Sequence, residues 1–456
     1  MKAPDQKLNK FDWRLHPEAE GFLIQHVNVF LKNHDFTHTL ASRIEQETST
    51  RFFDWIDHVV FPYSIVDEKT LKDIGFQEMI NVEIPSDMRA FVYPGTIFFP
   101  VLLGKKQYTE LALKPERLDH FVQAMGMGNT IEGDIYGTYR MAIISHQSDF
   151  ILSAVERRGY GGFLVPKKVN DTQEYRQTLE AFFCRRRCFE SLGEGMDATQ
   201  KLIKDTCQKL SQARVADAFF RAERMYWERR NWIGRIQKAR QDKFGLGWGN
   251  HDHHTFRSSR RNFPKLLKIL DMLGFIRREQ FFAGEEAGWG AQVLEHPDCN
   301  FVVFADIDLS KEEKSMDFSH DDLKRLDRFG TVGLWVELHG ESILHAGLHH
   351  LAVRYDFGRL CSDLKQMNLT VMSPFSYFEF LKQAFSEGEV WSVDKRRLDR
   401  LVEKGIITTL QYETFLRHGA IGSHLENIQR DQGFKGFNQK SVSAIIAATD
   451  PRIYKR

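Results

Sequence analysis

Cysteine is scarce in this chain and odd in number: five residues, Cys184, Cys188, Cys207, Cys299 and Cys361, with no regular spacing. That excludes a disulfide framework and points to a reducing, cytoplasmic compartment. Cys184 and Cys188 lie four apart in a charged, helical-looking run, which suits reduced thiols on a helix better than a zinc site. There is no surplus of charge, with 63 Lys plus Arg against 62 Asp plus Glu, so broad binding to nucleic acid or a membrane surface gains no support. No apolar run reaches the length of a membrane span. The first residues, MKAPDQKLNKFDW, lack an apolar signal core. Nucleotide loops are missing too. The Gly-rich stretch Phe244-Gly245-Leu246-Gly247-Trp248-Gly249 has no Lys-Ser/Thr pair and no strand–helix setting, and reads as a flexible lead-in to the next strand.

What the chain has in quantity is phenylalanine, 37 residues, and a length of 456 that suits two or three domains. Three stretches differ in character. Residues 1–170 read as an α+β domain: Phe53 to Pro62 strand-like, Glu68 to Ile74 helical and stopped at Gly75, Tyr108 to Lys114 a strand, Pro115 to Met125 a helix, Met141 to Val155 strand-like. Residues 171–245 are rich in Arg, Glu, Gln, Lys and Ala, and read as a helical connector whose charge run is a solvated face. Residues 246–456 return to the first pattern. His253 to Arg257 reads as a strand, Asn262 to Leu273 as a helix ended by Gly274, Phe301 to Leu309, Val332 to His339 and His349 to Arg354 as strands, and Phe357 to Met367 as a helix, with a helix-like segment at the C-terminus. The first and third stretches thus read as a weak internal repeat of βαβββ type.

Chemistry concentrates at two places in the last stretch. Asn250-His251-Asp252-His253-His254-Thr255-Phe256-Arg257 places His253 four residues before Arg257, and His349-His350-Leu351-Ala352-Val353-Arg354 places His350 four before Arg354. In a strand, residues i, i+2 and i+4 share a face, so each motif directs one imidazole and one guanidinium to the same side. Two such strands side by side offer a metal two nitrogen ligands and an anionic substrate two cations. The alternation selects His253 over His254 and His350 over His349, and a one-residue slip would reverse both choices. A carboxylate completes the usual set for oxygen-activating iron, and Glu426, within Gly422-Ser423-His424-Leu425-Glu426-Asn427-Ile428-Gln429-Arg430, is the candidate. Any single histidine is more often an ordinary core or surface residue. A matched pair in repeated units tips the reading toward ligands.

Residues 250–456 resemble the vicinal oxygen chelate superfamily, and within it the 2-oxoadipate dioxygenase/decarboxylase (hydroxyglutarate synthase) family. The resemblance lies in His253 to Arg257 followed by a helix ending at Leu273-Gly274-Phe275, in His349-His350-Leu351, and in Glu426 followed by Gln429-Arg430. The chain departs from it in carrying His424-Leu425 where a Phe-Gly pair is expected, and in the long segment ahead of the first His motif. The resemblance implies Fe(II) held by His253, His350 and Glu426, with Arg257 near the 2-oxo acid, dioxygen as co-substrate, and oxidative decarboxylation as the reaction. A metal-dependent isomerase, lyase or ring-cleaving dioxygenase on the same scaffold stays open, as does a non-catalytic small-molecule-binding protein. The N-terminal stretch echoes the superfamily at Asp57-His58-Val59-Val60. A second metal site from His58, Glu110 and Glu156 is weighed against a degenerate, purely structural module pair, and the degenerate pair is the preferred expectation.

Overall fold

The structure, a computed structural model, describes residues 13–126, 128, 130–167, 170–282, 288–321, 323–324, 326, 329–438 and 449–452. Two curled sheets, each flanked by helices, are built from paired βαβββ modules. Helices α1 (Pro17–Asn33) and α2 (Asp35–Thr48) come first. Their apolar faces, including Leu23, Phe30 and Ile44, share a core with Phe61, Leu111 and Leu113 of the first sheet.

The first module is β1 (Ile56–Pro62), α3 (Glu68–Ile74), β2 (Gln77–Glu78), β3 (Met88–Val92) and β4 (Val101–Gly104). Residues 53–55 ahead of β1, read from sequence as strand, belong to a single 3-10 turn, Phe52–Trp55. The second module is β5 (Thr109–Leu113), α4 (Leu118–Ala124), β6 (Tyr139–Gln147) and β7 (Phe150–Arg157), with the missing strand reduced to a bridge between Glu132 and Met141. In each module the first strand pairs parallel with the last, and the two first strands, β1 and β5, pair antiparallel at the centre.

Four helices then link the halves: α5 (Thr172–Phe183), α6 (Leu192–Thr206), α7 (Gln212–Glu228) and α8 (Trp232–Asp242). Their charge run is a solvated face only in part: Arg176, Lys201 and Arg235 of α5, α6 and α8 are exposed, but α7 is not. Helix α7 is buried along most of its length. Its Glu223 is fully enclosed and ion-paired to Arg185 and Arg187, and its Arg224 to Glu116 of the N-terminal half. Cys184 only caps the C-terminus of α5, and Cys188 lies beyond it, so the two thiols do not share a helix. All five cysteines are free.

The second sheet repeats the plan. Its first module is β8 (His251–Arg257), α9 (Phe263–Met272), β9 (Ile276–Phe282), β10 (Trp289–His296) and β11 (Phe301–Asp308). Helices α10 (Thr331–His339) and α11 (Ser342–His345) follow. The last module is β12 (His350–Arg354), α12 (Phe357–Gln366), β13 (Ser376–Phe378), β14 (Leu381–Phe385) and β16 (Ala420–Arg430), with β15 (Glu389–Trp391), α13 (Lys395–Glu403) and α14 (Thr409–His418) inserted before β16. Again first and last strands are parallel, β8 with β11 and β12 with β16, and β8 and β12 are antiparallel.

Two expectations fail here. Val332 to His339 is helix α10, not strand. A largely apolar run suits a buried helix as well as a strand, and the Asp308 carboxylate decides the case by accepting the N–H groups of Gly330, Val332 and Gly333 at the helix start. Conversely β9 and β10 supply the module strands that the sequence reading sought in 332–339 and 349–354, so His350 opens a new module. Strand β9, Ile-Arg-Arg-Glu-Gln-Phe-Phe, sits at a sheet edge, and its charges obscure the alternation. The expected C-terminal helix falls mostly outside the described residues. The Gly-rich lead-in is a packed turn: a Cβ at Gly249 would stand 2.1 Å from the Lys114 carbonyl oxygen, and Gly245 has φ +68°.

Candidate metal centre

Strand parity brings the three expected ligands together. In β8, His253, Thr255 and Arg257 share the inner face of the sheet, while His254 points outward beneath Phe220 and Arg224. Ala352 lies opposite His253 on one side of β12 and beside Glu426 on the other, and His350 lies opposite Thr255. The ligand atoms of His253, His350 and Glu426 all fall within 4.8 Å of one another, the one such cluster among the described residues. Glu426 Oε2 is 3.0 Å from His253 Nε2 and 2.9 Å from His350 Nε2.

Each ligand is fixed from behind. His253 Nδ1 donates to Asp252 Oδ2 at 3.0 Å, which leaves Nε2 facing the cluster. Asp252 is itself clamped by Arg354 (Nε–Oδ1 2.9 Å) and Arg430 (Nε–Oδ1 2.9 Å). Gln383 donates to the other oxygen of Glu426 at 2.9 Å, and His350 Nδ1 meets His349 Nδ1 at 2.9 Å. With His350 Nε2 turned to the cluster, Nδ1 is assigned as the donor in that pair. Thr255 Oγ1 lies 2.9 Å from His350 Nε2.

Burial alone pulls the His253 pKa down, but the Glu426 carboxylate and the Asp252 hydrogen bond outweigh it and hold it up at about 9. Burial raises the Glu426 pKa, and His253 and His350 more than reverse this, keeping the carboxyl well below its usual range. His350 moves down, chiefly through burial. With the His253 Nε2 proton displaced, the cluster offers one carboxylate and two imidazole nitrogens at a common point, a donor set that fits a divalent transition metal.

The surroundings are apolar. The Phe385 ring centroid is 5.1 Å from that of His350, Phe304 and Phe437 pack on His253 at 4.8 and 5.3 Å, and Phe281, Trp289 and Phe375 continue the wall. Four buried polar atoms near this cup have no hydrogen-bond partner among the described residues: Arg257 Nε, Trp289 Nε1, His424 Nε2 and Gln383 Oε1. Arg257 stands 3.9 Å from Asp306, too far for burial to be offset on either side. Burial pulls the guanidinium down to about 10 and pushes the Asp306 carboxyl up to about 7. Arg354, expected as a second clamp for substrate, holds Asp252 instead. Asp252, Thr255, Gln383, Asp306 and His424 escaped the sequence reading. Only Asp252 had a signal there, the Asp-His pair recurring at Asp57-His58.

That recurrence extends to register. His58 lies opposite Ala112, as His253 lies opposite Ala352. Ala112 lies beside Ser153, as Ala352 lies beside Glu426. Glu110 therefore stands at the place of His350, and Ser153 at the place of Glu426. Asp57 is a bulge residue bonded to His58 Nδ1 and ion-paired to Arg157, as Asp252 is to His253 and Arg430. Glu156 is one residue out of phase, on the opposite face of β7, where Arg140 pairs with it at 3.0 Å. His58, Glu110 and Glu156 are thus not brought together. Ser153 donates to Glu110 at 2.6 Å, and the cup is filled by Phe163, 5.1 Å from the His58 ring.

Fold and site together define a protein of paired βαβββ modules with a single His/His/Glu cluster among the described residues. No family model matches the chain, and no curated protein does. Among solved structures, 4-hydroxymandelate synthase from Streptomyces coelicolor is similar at 11% identity and TM-score 0.24, over 88% of this chain and 98% of that one. A xylose isomerase-like TIM barrel/4-hydroxyphenylpyruvate dioxygenase fusion protein is similar at 11% identity and TM-score 0.24, over 90% of this chain and 56% of that one. Methylmalonyl-CoA epimerase from Mycobacterium tuberculosis is similar at 13% identity and TM-score 0.22, over 40% of this chain and 88% of that one. At that distance the likeness carries no inference about activity. No helix among the described residues is long and apolar enough to cross a membrane.

Proposed function

We propose that the chain is a non-haem Fe(II)-dependent dioxygenase/decarboxylase acting on a 2-oxo acid or a related small carboxylate. His253, His350 and Glu426 are the metal's ligands, and Arg257 holds the substrate's carboxylate. The observation that carries the reading is the convergence of two imidazole nitrogens and one carboxylate oxygen beside an under-neutralised Arg257 in a phenylalanine-lined cup. Bound there, Fe(II) would supply the open coordination positions and redox chemistry that a 2-oxo acid and dioxygen require.

The chain's own residues do the rest. Asp252, His349 and Gln383 hold the ligands in orientation, which sets their basicity as well as their direction. Arg257 presents a guanidinium whose only carboxylate neighbour within 4 Å among the described residues is Asp306, at 3.9 Å, so an incoming carboxylate relieves an existing deficit. The aromatic wall keeps water from the reacting groups. Asp306, held near pH 7, is a group that could exchange a proton, and this one feature favours the alternative of a metal-dependent isomerase or lyase.

Metal content and oxygen uptake test the reading. Anaerobically purified protein is expected to hold iron stoichiometrically, to lose it in His350→Ala, and to take up oxygen with one member of a 2-oxo acid panel. Metal-dependent turnover without oxygen would leave the isomerase or lyase. Metal retained in His350→Ala with no oxygen uptake would sink the site.

A further inference from the structure

A second chamber lies between the two halves, with a volume of about 410 Å³ and walls drawn from both. None of His253, His350, Glu426 or Arg257 lines it, although Asp252 and Phe437, both in contact with His253, belong to its wall. Its position follows from the internal repeat. Lys114 comes two residues after Ala112, and Arg354 two after Ala352, so they are counterparts. The backbone agrees: Lys114 N–H donates to the Trp55 carbonyl and Arg354 N–H to that of Asn250, each acceptor standing two residues before its Asp-His pair. Both cations line the chamber, one from each repeat.

They differ from the other repeat-related cations in the same wall. Arg157 is neutralised by Asp57 and Arg430 by Asp252. Arg354 spends only its Nε on the shared Asp252 carboxylate, and its two terminal nitrogens have no partner among the described residues. Lys114 has neither hydrogen bond nor ion pair from its ammonium there. Burial, and then the nearby Arg354 charge, pull its pKa down to about 8. Two neighbouring half-buried cations, one with no ion pair among the described residues and countered only through space by Asp57, Asp54 and Asp252, make a site that an anion completes. The rest of the wall mixes the apolar Ile97, Phe98, Phe99 and Phe163, which suit an apolar body, with carboxylates that have cations of their own, such as Glu116 with Arg224 and Glu295 with Arg278, and the volume is that of a small-molecule site.

We propose that this chamber binds a small organic carboxylate, its carboxylate bridging Lys114 Nζ and the Arg354 guanidinium, at a site separate from the metal centre. The probe is benzoate, with phosphate and chloride as controls at equal ionic strength, read by thermal unfolding of the full-length protein. Saturating benzoate is expected to raise Tm by at least about 2 °C, and chloride not at all. Lys114→Met, which removes an enclosed charge and so is expected to fold at least as well, should abolish the shift, while Lys114→Arg should keep it. His350→Ala should also keep it, which separates this inference from the proposed metal chemistry. A shift that survives Lys114→Met, or that disappears in His350→Ala, would place binding elsewhere and overturn the proposal. Phosphate acting as strongly as benzoate would assign the chamber to a bare oxyanion and overturn the organic part.

Discussion

Asp252 and Asp57 occupy the same place in the two repeats, each bonded to a histidine and to an arginine, so they separate structural from functional contributions at the scale of one residue. Asp252→Asn is expected to weaken metal binding roughly 10–100-fold, the usual cost of losing such an outer partner. It should also cost on the order of 3 kcal/mol of stability by stranding two guanidinium groups. Asp57→Asn should cost stability and leave metal affinity unchanged. Metal titration beside denaturant unfolding reads both. Arg257→Met is expected to raise KM for an anionic substrate by about 10–100-fold, the worth of a charge-assisted hydrogen bond, with metal content intact; steady-state kinetics checks it. Asp306 gives a pH dependence. Its folded pKa, about 7, is above the ordinary 3.8, so between those values the folded chain binds more protons than the unfolded one. Stability from this group is therefore present at low pH and lost as pH rises from about 4 to 7, by at most about 1.4 kcal/mol per unit. Urea unfolding of the metal-free protein should show that slope, and Asp306→Asn should flatten it.

At the scale of elements, the strands carrying the cluster histidines were legible because period-two alternation states which histidine of each pair faces inward. His253 and His350 face the cluster, and His254 and His349 do not lie in it. Helix α3, Glu68 to Ile74, was legible to the residue because Asp67 caps one end and Gly75, at φ +115°, closes the other. Helix α10 was not legible. Its run from Val332 is apolar on every side, and the group that fixes its start, Asp308, lies in another element. Asp308→Ala should cost roughly 2 kcal/mol through three stranded N–H groups, measurable as a shifted denaturation midpoint with an unchanged slope. Helix α7 misled for the opposite reason. Its charges suggested water, yet Glu223 and Arg224 are enclosed because their partners, Arg185, Arg187 and Glu116, come from other elements.

For the whole molecule, the duplication has one testable consequence in stoichiometry. The C-terminal pair keeps His253, His350 and Glu426, whereas the corresponding N-terminal places hold His58, Glu110 and Ser153 with Phe163 over them. One metal per chain is expected, unchanged by His58→Ala and lost in His253→Ala, with elemental analysis as the measurement. Taken by itself, the sequence determined the paired βαβββ plan and picked His253 and His350 out of their His-His pairs as the residues that face the cluster. Those follow from local rules: periodicity, turn residues and the spacing of histidines along a strand. Only the tertiary structure decided which strands are neighbours and in what register. That made Ser153, not Glu156, the counterpart of Glu426, gave Arg354 to Asp252, and enclosed Lys114 between the halves. Pairing across hundreds of residues depends on which faces bury each other, and no local window of the chain contains that information.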